Sequence, residues 1–84
     1  MKKIYTVMNP SGIHARPALK IVDAASQHRS DSYLVRDGLR FAAKSLVQMI
    51  SISAKYGEEI EVFAEGEDAR EAIEAIGAIL TSLH

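Results

Sequence analysis

The spacing of apolar and polar positions changes several times along the chain, and each change marks an element. Residues 3–8, Lys-Ile-Tyr-Thr-Val-Met, are β-branched and aromatic with rough alternation, which predicts a strand. Asn9-Pro10-Ser11-Gly12 then breaks it in a loop. From Ala15 to Gln27 the apolar residues Ala18, Leu19, Ile21, Val22 and Ala25 recur at helical spacing, and Arg16, Lys20, Asp23 and Gln27 line the opposite stripe, as in an amphipathic helix. Residues 32–36 and 39–43 flank Asp37-Gly38, a pair suited to a two-residue hairpin because both positions tolerate positive φ. Ser45 precedes Leu46, Val47, Met49, Ile50 and Ile52, whose period fits a strand or a helix, and we read it as a short helix. Residues 59–65 alternate cleanly: Ile60, Val62 and Ala64 take one face, and Glu61, Phe63 and Glu65 the other, until Gly66 ends the strand. Asp68 and Glu71 in capping-box spacing open a last helix that repeats Ala72, Ile73, Ile76, Ile79, Leu80 and Leu83.

The order is therefore β-α-β-β-α-β-α in a single domain over residues 1–84, with no linker, repeat or low-complexity tract. Amphipathic helices must cover the apolar side of a sheet, so the economical α+β architecture is a four-stranded, mostly antiparallel sheet with its helices on one face. Strand order is not legible from the pattern. A hydrophobic fraction of 48% supplies the core, and with no cysteine the fold rests on packing rather than disulfides. Ten basic and eleven acidic residues give a net charge of -1, so bulk-charge binding to nucleic acid is not indicated. Met1-Lys2-Lys3 leads into a half-polar strand rather than an apolar signal, and no stretch approaches a membrane span. The expectation is a cytoplasmic monomer without membrane insertion.

The chemistry concentrates in Ser11-Gly12-Ile13-His14-Ala15-Arg16-Pro17-Ala18. Three roles compete for His14: a polar loop or capping residue, a metal ligand, and a nucleophile at the mouth of a helix. A metal needs further ligands, and the other histidines, His28 and His84, have no paired spacing with His14. The capping role stays open on local sequence alone. The neighbours favour the nucleophile. Pro17 belongs in a first helical turn, where its missing N–H is no loss, and the free amides and dipole there welcome an anion. Arg16 adds a planar, permanently charged fork matched to phosphate oxygens, while Gly12 and Ala15 keep the surroundings small. A neutral imidazole attacks phosphorus without a separate base, and the phosphoimidazole remains reactive enough to pass the group on.

These residues resemble the active-centre signature of the HPr family, the histidine-containing phosphocarriers of the bacterial phosphoenolpyruvate-dependent sugar phosphotransferase system. The similarity extends over nearly the whole chain: its length, element order, the Asp37-Gly38 hairpin, Ala43-Lys44-Ser45 before the short helix, and the run from Ala64 to Ile76 into the last one. The resemblance implies an open-faced β-sandwich, four antiparallel strands with three helices on one side. It implies that His14 accepts a phosphoryl group on Nδ1 from phosphorylated Enzyme I and donates it to IIA components of sugar permeases. Arg16 would neutralise the group, with Gly12, Ala15 and Arg16 forming the phosphate site. The protein would be a carrier rather than a turnover enzyme, with no cofactor and no metal. The catabolite-repression paralogue usually lacks the histidine, so His14 argues against it.

Ser45 has a plain role as the N-cap of the short helix. It also resembles the regulatory serine that HPr kinase/phosphorylase modifies in Gram-positive members. There the family pattern runs Lys-Ser-Ile-Met-Gly-Val-Met-Ser-Leu-Gly, whereas this chain has Val47 for a methionine and Gln48 and Ser53 for two glycines. Gln48 is closer to the enteric type. The short helix has more apolar positions than one face can bury, so some of Leu46, Val47 and Ile50 should stay exposed as a docking patch, with Lys20, Lys44 and Gln48 beside it. Ser53-Ala54-Lys55-Tyr56-Gly57-Glu58-Glu59-Ile60-Glu61-Val62 also resembles the nitrogen-related paralogue and the carrier domains of dihydroxyacetone kinases, which gives an alternative circuit. A non-catalytic anion- or RNA-binding module is the other alternative. It predicts a basic, aromatic sheet face, and Glu61 and Glu65 flanking Phe63 weaken it.

Overall fold

The computed structural model describes residues 1–82, so the expected core position Leu83 and the histidine His84 lie outside the described residues. Strands β1 (Lys2–Thr6), β2 (Asp31–Arg36), β3 (Leu39–Ala42) and β4 (Glu59–Glu65) form one antiparallel sheet in the order β1-β4-β2-β3. Helices α1 (Ala15–Ser26), α2 (Leu46–Ser51) and α3 (Ala69–Leu80) complete the expected order. The first strand pairs with the last, the arrangement that sequence alone left open.

The alternation of β4 is realised: Ile60, Val62 and Ala64 are fully buried, while Glu61 and Phe63 stay only partly covered on the open face. Leu34 of β2 joins them from the next strand, and Val7, Ala18, Ile21, Met49, Ile52, Ile76 and Leu80 close the core from the helical side. Asp37 and Gly38 both take positive φ, 52° and 79°, as a tight hairpin between right-twisted strands demands.

Three features differ from the expectation for physical reasons. β1 ends at Thr6 because the chain leaves the sheet there, and the Met8 N–H donates to the Leu80 carbonyl of α3 at 2.8 Å. Leu19 was expected in the core but is 50% exposed. At roughly 100° per residue it falls about a quarter-turn from the stripe made by Ala18, Ile21, Val22 and Ala25. The capping box at α3 does not form: the Asp68 side chain makes no bond to its own helix, and its carboxylate accepts the N–H groups of Arg29 and Ser30, both at 2.9 Å. Those two donors follow α1, so Asp68 pins the connection between α1 and β2 to the start of α3. The Arg29 N–H, the largest contribution, and then that of Ser30 hold its pKa down at about 2 against the opposing effect of desolvation.

Candidate functional site

The loop between β1 and α1 is tied down on both sides of residue 14. Asn9 is buried and its Nδ2 amide donates to the carbonyls of Ile79 at 3.0 Å and Leu80 at 3.2 Å, partnering the last turn of α3. The Gly12 N–H closes a turn onto the Asn9 carbonyl at 2.8 Å, and the Ile13 N–H donates to the Ala54 carbonyl at 2.8 Å. Gly12 stands at φ 73° with the Ala54 carbonyl oxygen against the position a Cβ would take, so any side chain there collides. Ile13 before the histidine and Pro17 and Ala18 after it are buried, whereas His14, Ala15 and Arg16 between them are exposed.

His14 is the N-cap residue of α1 in extended backbone, φ -127° and ψ -165°, and its carbonyl accepts the Ala18 N–H at 2.9 Å. Its imidazole makes no capping hydrogen bond, so the backbone caps the helix and the ring remains uncommitted. The helix starts at Ala15, which puts Pro17 third, in the first turn as expected, where a missing N–H has no consequence. The amides of Ala15 and Arg16 have no protein partner among the described residues. They are the free donors that the helix mouth offers. The Gly12 N–H is taken by Asn9, so Gly12 contributes backbone shape rather than a donor. Arg16 and Lys20, one turn apart, line a groove of about 170 Å³ with Asn9, Pro17, Ala78 and Ile79. Both cations are exposed.

α1 packs against α2, which carries the second group of expected residues. Ser45 caps α2 as the plain reading required, its Oγ accepting the Gln48 N–H at 3.3 Å. Met49 and Ile52 go to the core while Leu46, Val47 and Ile50 remain 40%, 75% and 44% exposed, the excess that the pattern anticipated. Gln48 is exposed, yet its Oε1 accepts the Ala42 N–H at 2.7 Å and so also braces the end of β3. Lys44 is exposed beside the cap. Leu19 joins this apolar exposure from α1, the one such residue that its helical phase should have revealed.

A brace behind the site escaped sequence reasoning because its members are far apart in the chain. Arg36 donates through Nη1 to the Ile52 carbonyl at 2.8 Å and through Nη2 to Glu58 at 2.9 Å, while Glu58 Oε1 accepts the Lys55 N–H at 2.6 Å. The Lys55 N–H, then the Arg36 side chain, lower the Glu58 pKa below the usual carboxylate range. The braced segment includes Ser53, at φ 51°, and Ala54, whose carbonyl holds Ile13 beside the histidine. Metal-ligating side chains do not gather in groups of three or more among the described residues. His28, the nearest rival ligand in sequence, donates its Nδ1–H to the Ala24 carbonyl at 2.7 Å.

Comparison with known proteins gives the arrangement a context. Residues 1–82 match the family model described as the PTS HPr component phosphorylation site. The chain is 45% identical over 74 residues to the phosphocarrier protein HPr of Treponema pallidum, covering 88% of this chain and 84% of that one. It is 38% identical over 68 residues to the HPr-like protein Crh of Bacillus subtilis, covering 81% of this chain and 80% of the other. The crystal structure of a phosphocarrier protein HPr from Bacillus anthracis superposes with a TM-score of 0.90 at 34% identity, over 95% of both chains.

Proposed function

The chain belongs to the HPr family of phosphocarriers of the phosphotransferase system, and from that premise we propose that His14 is its phosphoryl acceptor. The observation that carries the assignment is the uncommitted imidazole at the mouth of α1, where the next two residues, Ala15 and Arg16, have free amides. A neutral ring nitrogen, Nδ1 in the family's chemistry, attacks phosphorus of phosphorylated Enzyme I. The new N–P bond forms as the donor's bond to phosphorus breaks, and the donor keeps that electron pair. The Ala15 and Arg16 amides and the Arg16 side chain are the donors that would take up the charge of the transferred oxygens. Reversal toward a IIA component discharges the carrier. Leu46, Val47 and Ile50 with Lys20 and Lys44 dock both partners, apolar contact at the centre and cations toward acidic rims. Gln48 contributes from the edge of that patch. The protein acts as a monomer in the sugar branch rather than in a nitrogen-related or dihydroxyacetone-kinase relay.

Ser45 is proposed as a second, regulatory acceptor for an HPr kinase/phosphorylase. The support is its place at the head of the docking helix, where an added dianion changes the sign of the surface partners meet. Incubation with phosphoenolpyruvate and Enzyme I should add one acid-labile phosphate that His14→Ala abolishes. Incubation with HPr kinase and ATP should add an acid-stable one that Ser45→Ala abolishes. Equal acid-labile labelling of the His14→Ala protein sinks the first assignment, and absence of acid-stable label leaves Ser45 as a helix cap only.

A further inference from the structure

β1 is an edge strand, and among the described residues no other strand pairs with its outer side. The Met1 nitrogen donates to the Ala64 carbonyl at 3.1 Å, the Met1 carbonyl accepts the Ala64 N–H at 2.9 Å, and the Val7 N–H donates to Glu58. Odd-numbered residues therefore spend their backbone groups on β4, and by the alternation of an antiparallel ladder Lys2, Ile4 and Thr6 turn theirs outward. Behind this edge runs a groove of about 330 Å³ between Met1 and the first strand residues Lys2 and Lys3 on one side and Arg70, Ile73 and Glu74 of α3 on the other. A free strand edge running beside a helix-walled groove is the geometry in which an extended peptide adds to a sheet.

Charge selects the occupant. Lys2, Lys3 and Arg70 line the groove with the acid Glu74, and Lys2 also pairs with Glu61 of β4 at 3.6 Å, which leaves an excess of one positive charge, carried by Lys3 and Arg70, on a molecule whose net charge is -1. A second copy pairing through its own β1 would bring the same cations onto themselves, and edge lysines oppose such pairing. We propose that the free edge of β1 and its groove bind an extended acidic peptide as a fifth strand. The peptide residue beside Ile4, which is 59% exposed, packs on the open face and is apolar. Its two neighbours point to the helical side, toward Lys3 and Arg70, and are acidic. Arg70, Ile73 and Glu74 belong to the first two turns of α3, whereas Asn9 and the His14 loop hold its last turn, roughly 11 Å away along the helix. The peptide and a phosphoryl-transfer partner can be bound together.

The test is titration of the ¹⁵N-labelled full chain with acetyl-Glu-Val-Glu-Val-Glu-amide, and with the same peptide carrying lysines for glutamates. The acidic peptide should shift amides of Met1–Thr6 and of the first two turns of α3, slow exchange at Lys2, Ile4 and Thr6, and weaken with salt; the lysine peptide should do neither. Arg70→Glu should lower the affinity roughly tenfold or more by placing like charges together, with Enzyme I-dependent labelling of His14 unchanged. Ile4→Pro, which removes an outward N–H and spares the β4 ladder, should lower it by roughly as much. No shift at β1 up to millimolar peptide, unaltered affinity in both variants, or β1 shifts that grow with protein concentration in the absence of peptide would each overturn the proposal, the last in favour of a second copy.

Discussion

His14 is available for chemistry because its backbone, not its ring, completes the start of α1. A histidine that capped the helix through its side chain would have to break that bond to attack. Arg16 follows two residues on with the charge, and Ala15 leaves room for a tetrahedral group to approach the amides. The support of this site includes one strained residue. Ser53 stands at φ 51° in the left-handed region, where an L side chain meets its own carbonyl, and the related Gram-positive pattern has glycine there. Ser53→Gly should therefore raise the urea midpoint by about 1 kcal/mol of stability with the m-value unchanged, the relief of strain exceeding the added flexibility of the unfolded chain. A lowered midpoint would mean that the serine side chain stabilises the Ile13–Ala54 contact, which no hydrogen bond in the structure indicates.

At the scale of elements, Asp68 joins three of them: it heads α3 and holds the two amides that lead from α1 into β2. Its folded pKa of about 2 lies below the ordinary aspartate value of about 3.9, so its stabilisation is fully present above that value and is lost as pH falls toward the folded one. Asp68→Asn should lower the melting temperature near neutral pH, and the gap from the native protein should close between about pH 4 and about pH 2. A gap of constant size would assign the effect to packing instead. This element also marks how far sequence reasoning reaches. The 2-residue and 3.6-residue periods located β4, α1 and α3, and Asp37-Gly38 located the hairpin, because those signals are local. Asp68 and Glu71 matched a local capping pattern, yet partners 38 and 39 residues away claimed the carboxylate. The pairing of β1 with β4 and the Arg36–Glu58 brace were illegible for the same reason. His14, Arg16 and the exposed side of α2 were legible because proline, charge and surplus apolar positions all fall within short windows.

The whole molecule separates its tasks by direction. Three helices seal one face of the sheet, and the His14 loop, the amino end of α1 and the exposed residues of α2 form the proposed exchange surface beside the last turn of α3. The β1 edge, with its own groove, lies toward the other end of that helix. No helix among the described residues is long and apolar enough to cross a membrane. On the proposed assignment the carrier is charged and discharged through the same residue, one uncommitted imidazole serving both partners. The direct measurement is to label the protein from ³²P-phosphoenolpyruvate through Enzyme I, remove Enzyme I, and add a purified IIA domain. Label should leave the protein and appear on the IIA domain within one round, and the His14→Ala protein should neither take nor pass it. Label that stays on the wild-type protein, or that the His14→Ala protein transfers equally well, would contradict the account.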